Sequence, residues 1–197
     1  TLTFHRHVGS YNIAIGGSAL TAITSGANNV AIGHQAGTAL TTGGTTIAIG
    51  HQALSTEDTA TGTVAIGTQA LQDQNVDSAN NVAVGHQAGY NLTSGTDSVY
   101  VGYLAGGVGT ITGDYNTVVG KGAALNATGM GTSVMVGSFA GGAGVVTGAD
   151  NVAIGYTAGY DLIGGHDNVL IGRDASKIFT DNISNVAIGI NALDAAN

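Results

Sequence analysis

Proline, cysteine and tryptophan are all absent from the 197 residues, and only 8% of them carry a charge. With no cysteine, neither a disulfide framework nor a thiolate zinc site can form, and the redox compartment leaves no trace in the chain. Charge this sparse, against roughly a quarter of residues in ordinary soluble domains, excludes a conventional enzyme core wrapped in a solvated charged surface. Basic residues are scarcest: Arg6, Lys121, Arg173 and Lys177 stand against twelve acidic residues, giving a formal net charge of −8. That is the wrong sign for tracking a phosphate backbone, so nucleic acid is not an expected partner. Long apolar runs are missing too. None reaches the roughly 20 residues a bilayer-spanning helix needs, and no charged-then-apolar leader is present. Membrane insertion is not expected.

What the chain does have is 34 glycines and 43% hydrophobic residues. A composition this apolar argues against disorder, so side chains must be buried in some repetitive way. The repeat is visible directly. A short hydrophobic segment ends in glycine at Gly16, Gly33, Gly50, Gly67, Gly85, Gly102, Gly120, Gly137, Gly155, Gly172 and Gly189, always at intervals of 17 or 18 residues. Such a period marks a solenoid, in which one unit cannot enclose a core alone but stacked units can.

The columns of the repeat carry the physics. The residue before each glycine is Ile or Val, and two places earlier it is again β-branched, from Ile13 through Thr117 to Val186. Positions i and i+2 of a strand share a face, and β-branched residues suit a pleated surface, so these two columns are expected to form one wall of the core. Ile154 is then a core residue. Between them lies mostly Ala, and three residues after each glycine Ala stands in all eleven copies, from Ala19 to Ala192. A column restricted to Ala marks a tight approach, either between chains or at a corner within one. Before each strand sits Asn, Ser or Thr, such as Asn29, Asn81 and Asn151, able to satisfy turn backbone and to hydrogen-bond along a ladder. The rest of each unit varies in sequence and holds most of the acids, among them Asp58, Asp97, Asp150 and Asp167. That side should face water.

The expected fold is therefore all-β: a parallel β-solenoid (β-roll) of eleven coils spanning about 50 Å at the ~4.8 Å strand spacing. Residues 1–10 lack the motif and read as a lead-in segment; residues 11–197 form one repeat domain that stops in mid-repeat, as a piece of a longer chain would.

The motif AsnAsnValAlaIleGlyHisGlnAlaGly at residues 28–37 resembles the head repeats of trimeric autotransporter adhesins, and residues 46–54 and 185–193 are similar to the longer-period repeats of tail-fibre-like proteins of phages and bacteria. The period here exceeds that of the adhesin heads and favours the fibre group. The resemblance covers residues 11–193. It implies a left-handed β-roll in a parallel homotrimer, outside the cell on a virion tail or cell surface, with a role in host attachment.

Little else in the sequence suggests chemistry. His34, His51 and His86 follow motif glycines, and Gln35, Gln52, Gln69 and Gln87 come next, so stacked coils would place them in polar ladders. His5 and His7 share one strand face, and three chains would bring six imidazole nitrogens together, a candidate transition-metal site. Gly164–Asp167 lacks the nine-residue period of calcium β-rolls, and Gly120-Lys121 lacks the rest of a P-loop. No catalytic residue and no cofactor are expected. Tyr90, Tyr115 and Tyr160, on variable turns, are candidates for facing a host receptor or glycan. Three functions fit: a structural shaft of a viral or phage tail fibre, an adhesin head binding host matrix or carbohydrate, and an ice-binding solenoid using the Thr column of Thr24, Thr41, Thr93 and Thr110.

Overall fold

In the computed structural model, which describes residues 10–75, 80–142, 144–176 and 183–193, the chain is a parallel β-solenoid. Each motif segment is a three-residue strand: β1 (Ile13–Ile15), β2 (Val30–Ile32), β3 (Ile47–Ile49), β4 (Val64–Ile66), β5 (Val82–Val84), β6 (Val99–Val101), β7 (Thr117–Val119), β8 (Val134–Val136), β9 (Val152–Ile154), β10 (Val169–Ile171) and β11 (Val186–Ile188). They form one sheet in strict sequence order. Pairing is parallel and in repeat register throughout, as in Ile13↔Val30 and Val152↔Val169. Among the described residues there is no helix.

The sheet faces the opposite way from the sequence expectation. The strand centres point inward: Ala31, Ala65, Ala83 and Ala153 are fully buried, as are Tyr100, Val118, Met135 and Leu170 in the same column. The β-branched columns point outward, with Ile32, Val84 and Ile154 each 36–37% exposed. Ile154 is thus not a core residue. The reason is volume. A coil of 17 or 18 residues encloses a narrow bore, and two β-branched columns pointing into it would collide with the side chains arriving from the other walls.

Those other walls supply the bulk. The fourth residue after the motif glycine and the seventh also point inward, as Leu54 and Leu71 do at the former and Leu40, Leu92 and Leu162 at the latter, all fully buried. The positions trade volume. Where the strand centre is Tyr100 or Met135, the fourth and seventh residues are both glycine, Gly106 with Gly109 and Gly141 with Gly144; where it is Ala, a larger residue fills the fourth position, as Leu54 and Leu71 do, or the seventh, as Leu40, Leu92 and Leu162 do. A Cβ on Gly106 would stand 2.7 Å from the Tyr100 ring, and one on Gly141 would stand 2.9 Å from Met135 Sδ. Each coil fills its bore once, which is the close packing interiors require. Each buried Leu contributes about 2 kcal/mol.

Ala19, Ala36, Ala53 and the rest of the invariant Ala column, through Ala175, lie buried inside the chain. They line a corner of the coil and are not offered to a neighbouring chain.

Motif glycines have φ between +127° and +140°, a region L side chains rarely adopt. The coils also touch there: a Cβ on Gly33 would lie 2.4 Å from the Gly50 carbonyl oxygen, and the same clash recurs from coil to coil. Conformation and contact both demand glycine.

Candidate functional site

The small polar residue before each strand builds the expected ladder. The Asn and Ser side chains accept from the backbone N–H one coil on: Asn29 N–H to Asn12 Oδ1 at 2.9 Å, Ser98 to Asn81 Oδ1 at 2.9 Å, Asn116 to Ser98 Oγ at 2.9 Å, Asn168 to Asn151 Oδ1 at 3.1 Å. The Asn amides donate to carbonyls of the adjoining corner one coil on, as Asn151 Nδ2 does to Gly165 O at 2.7 Å. Buried amides that are satisfied in this way fix the register without opening the core to water. Thr63 is the weak rung, its buried Oγ1 having no partner among the described residues.

Two buried polar residues went unforeseen. Glu57 and Gln74 occupy the seventh position, where Leu40 and Leu92 stand in other coils, and both are fully buried. Glu57 Oε1 accepts from the Thr59 N–H at 3.1 Å, and Gln74 Oε1 accepts from Asn81 Nδ2 at 3.2 Å. The column alignment of Glu57 with Leu40 in the sequence was the available signal. Tyr100 is likewise an interior group. Burial pushes its phenol up to about 12, against the opposing influence of Ser98 and Asn116, so it stays neutral in ordinary conditions. Burial also raises the Asp73 carboxyl above its usual range.

The outward face offers three parallel features. At its centre run the two β-branched columns, polar only at Thr117. Eleven strands of three residues make a stripe about 10 Å by 50 Å, near 500 Å². That lies toward the upper end of what a soluble monomer leaves open, and patches of this size mark interaction surfaces.

The corner after the strand carries the rings. His34 and His51 stack with centroids 5.4 Å apart and planes 9° apart, and His86 stacks on Tyr103 at 5.5 Å. Beside them the Gln ladder is hydrogen-bonded: Gln52 Nε2 to Gln35 Oε1 at 3.2 Å, Gln69 to Gln52 at 3.4 Å, Gln87 to Gln69 at 3.0 Å. Lys121 and Arg173 continue the corner. Lys121 Nζ lies 5.7 Å from the Phe139 ring centre, and Arg173 Nε lies 3.5 Å from Asp174. The corner before the strand carries acids, with Asp97, Asp150 and Asp167 in the left-handed conformation that Asp and Asn tolerate.

Tyr90 and Tyr160 sit half-buried at equivalent corners four coils apart, while Tyr115 is 63% exposed at the acidic corner. The three are not gathered into one site. Tyr103 and Tyr156, at the corner after the strand, are 49% and 55% exposed and were not singled out by sequence. The Thr column spends its hydroxyls on the next coil: Thr24 Oγ1 donates to Thr41 O at 3.1 Å and Thr41 Oγ1 to Asp58 O at 2.9 Å. His5 and His7 lie outside the described residues. Among the described residues no three His, Asp or Glu side chains converge on a metal site, no pocket opens, and no helix is long and apolar enough to cross a membrane. The chain matches no protein-family model, no curated protein and no solved structure.

Proposed function

We propose that the chain is a structural, non-catalytic segment of a fibrous surface appendage, a tail-fibre shaft used in host attachment, built from three parallel copies with left-handed coils. What supports this reading is the unbroken outward β-branched stripe, Ile or Val at every outer strand position except Thr117. Water-facing strand positions are ordinarily polar. A solenoid that keeps them apolar through eleven coils has a constant surface to cover, and copies of itself, with the same repeat length, match it over its whole extent. The sequence resemblance to tail-fibre-like repeats supplies the extracellular setting and the choice of three.

A shaft carries its receptor-binding tip elsewhere, so its turns should be exchangeable. Replacing residues 90–96 and 160–166 by the turn at 38–44 is expected to leave host-cell adsorption of the whole fibre unchanged once circular dichroism has confirmed folding. Loss of adsorption by a folded variant would favour instead an adhesin head whose turns read the host, with Tyr90 and Tyr160 the first residues to examine.

A further inference from the structure

The two corners that border the apolar stripe carry opposite chemistry. In a chain of net charge −8, both described strong cations, Lys121 and Arg173, and three of the four described histidines, His34, His51 and His86, stand in one column, the first residue after the motif glycine. Tyr103 and Tyr156 share it, and none of its eleven members is acidic. The corner before the strand holds Asp97, Asp150 and Asp167 one residue ahead of the polar ladder and Asp114 two ahead, beside Tyr115, where its Oδ1 also accepts from the Thr96 N–H at 2.8 Å. His166 is the basic group on that side, and its Nδ1 lies 2.8 Å from Asp167 Oδ2.

Coil by coil the two borders correspond. Lys121 follows β7, which Asp114 precedes; Arg173 follows β10, which Asp167 precedes; Tyr103 and Tyr156 follow β6 and β9, which Asp97 and Asp150 precede. His34, His51 and His86 stand level with the neutral Asn28, Thr45 and Asn80. Within one chain the members of each pair lie on opposite sides of a strand and do not meet. Between two parallel copies packed stripe against stripe, the basic border of one meets the acidic border of the next.

Resting on the self-association reading above, we propose that the occupant of this face is a second copy of the chain, parallel and without axial offset, latched by Lys121 to Asp114 and Arg173 to Asp167, with the Tyr103 and Tyr156 hydroxyls donating to Asp97 and Asp150. A closed ring permits no axial shift. An antiparallel copy would set acid against acid. A shift of one coil in one direction leaves Lys121 facing Thr132 and Arg173 facing Ser184; in the other it keeps Asp97 and Asp150 for the cations but sets Tyr103 and Tyr156 against Asn80 and Thr132. Only the unshifted arrangement pairs all four. Burial is also larger this way: the stripe alone gives about 500 Å² per copy, whereas the stripe with both borders, about 20 Å wide, gives near 1,000 Å² per copy, divided in a ring of three between two neighbours.

The absence of cysteine makes the test clean. The double variant Asp114→Cys/Lys121→Cys should form interchain disulfides on mild oxidation and run as covalent multimers, while Asp97→Cys/Lys121→Cys, which samples the one-coil shift, should not. In parallel, Lys121→Glu/Arg173→Glu should weaken association about tenfold at low salt and less at high salt. Adding Asp114→Lys/Asp167→Lys to that chain should restore association. Covalent multimers from the shifted pair only, or unchanged association after charge reversal in a folded chain, would overturn the register while leaving self-association intact. A wild-type chain that never associates would instead remove the reading on which the register rests.

Discussion

Aspartate in place of Ala153 is expected to cost at least about 4 kcal/mol, enough to unfold several coils, because it puts an unpaired carboxylate where a fully buried methyl group now sits. The same substitution one residue on, Ile154→Asp, should cost the individual chain only about 1 kcal/mol, since that side chain is 37% exposed and points away from the bore. Its larger effect should be on association: the wild-type melting temperature should rise with protein concentration and that of Ile154→Asp should not. Denaturation of both variants, followed by circular dichroism across a range of dilutions, separates the two effects. Greater damage from Ile154→Asp than from Ala153→Asp in dilute solution would mean that the sheet faces the other way.

A second large effect is expected at the glycine column. Gly120 has φ +134°, and a Cβ there would lie 2.5 Å from the Gly137 carbonyl oxygen, so Gly120→Ala must strain the backbone and push two coils apart. The expected loss is about 3 kcal/mol or more. Urea unfolding of Gly120→Ala beside the wild-type chain should show this loss as a lower midpoint. A loss under about 1 kcal/mol would mean that neither conformation nor contact between coils holds the column to glycine.

Much of the fold was legible because the repeat imposes it. Each strand lies where the β-branched pair and its glycine place it, and the polar residue ahead of each strand forms the ladder that stacked Asn, Ser and Thr suggest. The inside and outside of the sheet were not legible from alternation alone. A one-residue slip exchanges the faces of a strand, and both faces here are apolar, so the larger Ile and Val seemed the natural core. The deciding signal was compensation. Tyr100 and Met135 replace Ala only in coils where glycine holds both the fourth and the seventh place, Gly106 with Gly109 and Gly141 with Gly144, and that exchange makes sense only if these positions share one bore with the strand centre. Glu57 and Gln74 escaped notice for a related reason: a polar residue in a variable half reads as surface until the columns are aligned with Leu40 and Leu92.

Of the candidate site, the His and Gln ladders were legible from the period, whereas the pairing of charged borders needed the outward face to be known first. Once Ile and Val are outside, the corners before and after the strand become the edges of an interface, and their acids and bases acquire partners.

The molar mass of the chain in solution tests the central claim most directly. Sedimentation equilibrium over a wide concentration range should give three times the 19.2 kDa of the single chain, dissociating as Ile154→Asp or high dilution uncovers the stripe. A folded chain that stays at 19.2 kDa at every concentration would contradict the assignment of that stripe to self-association.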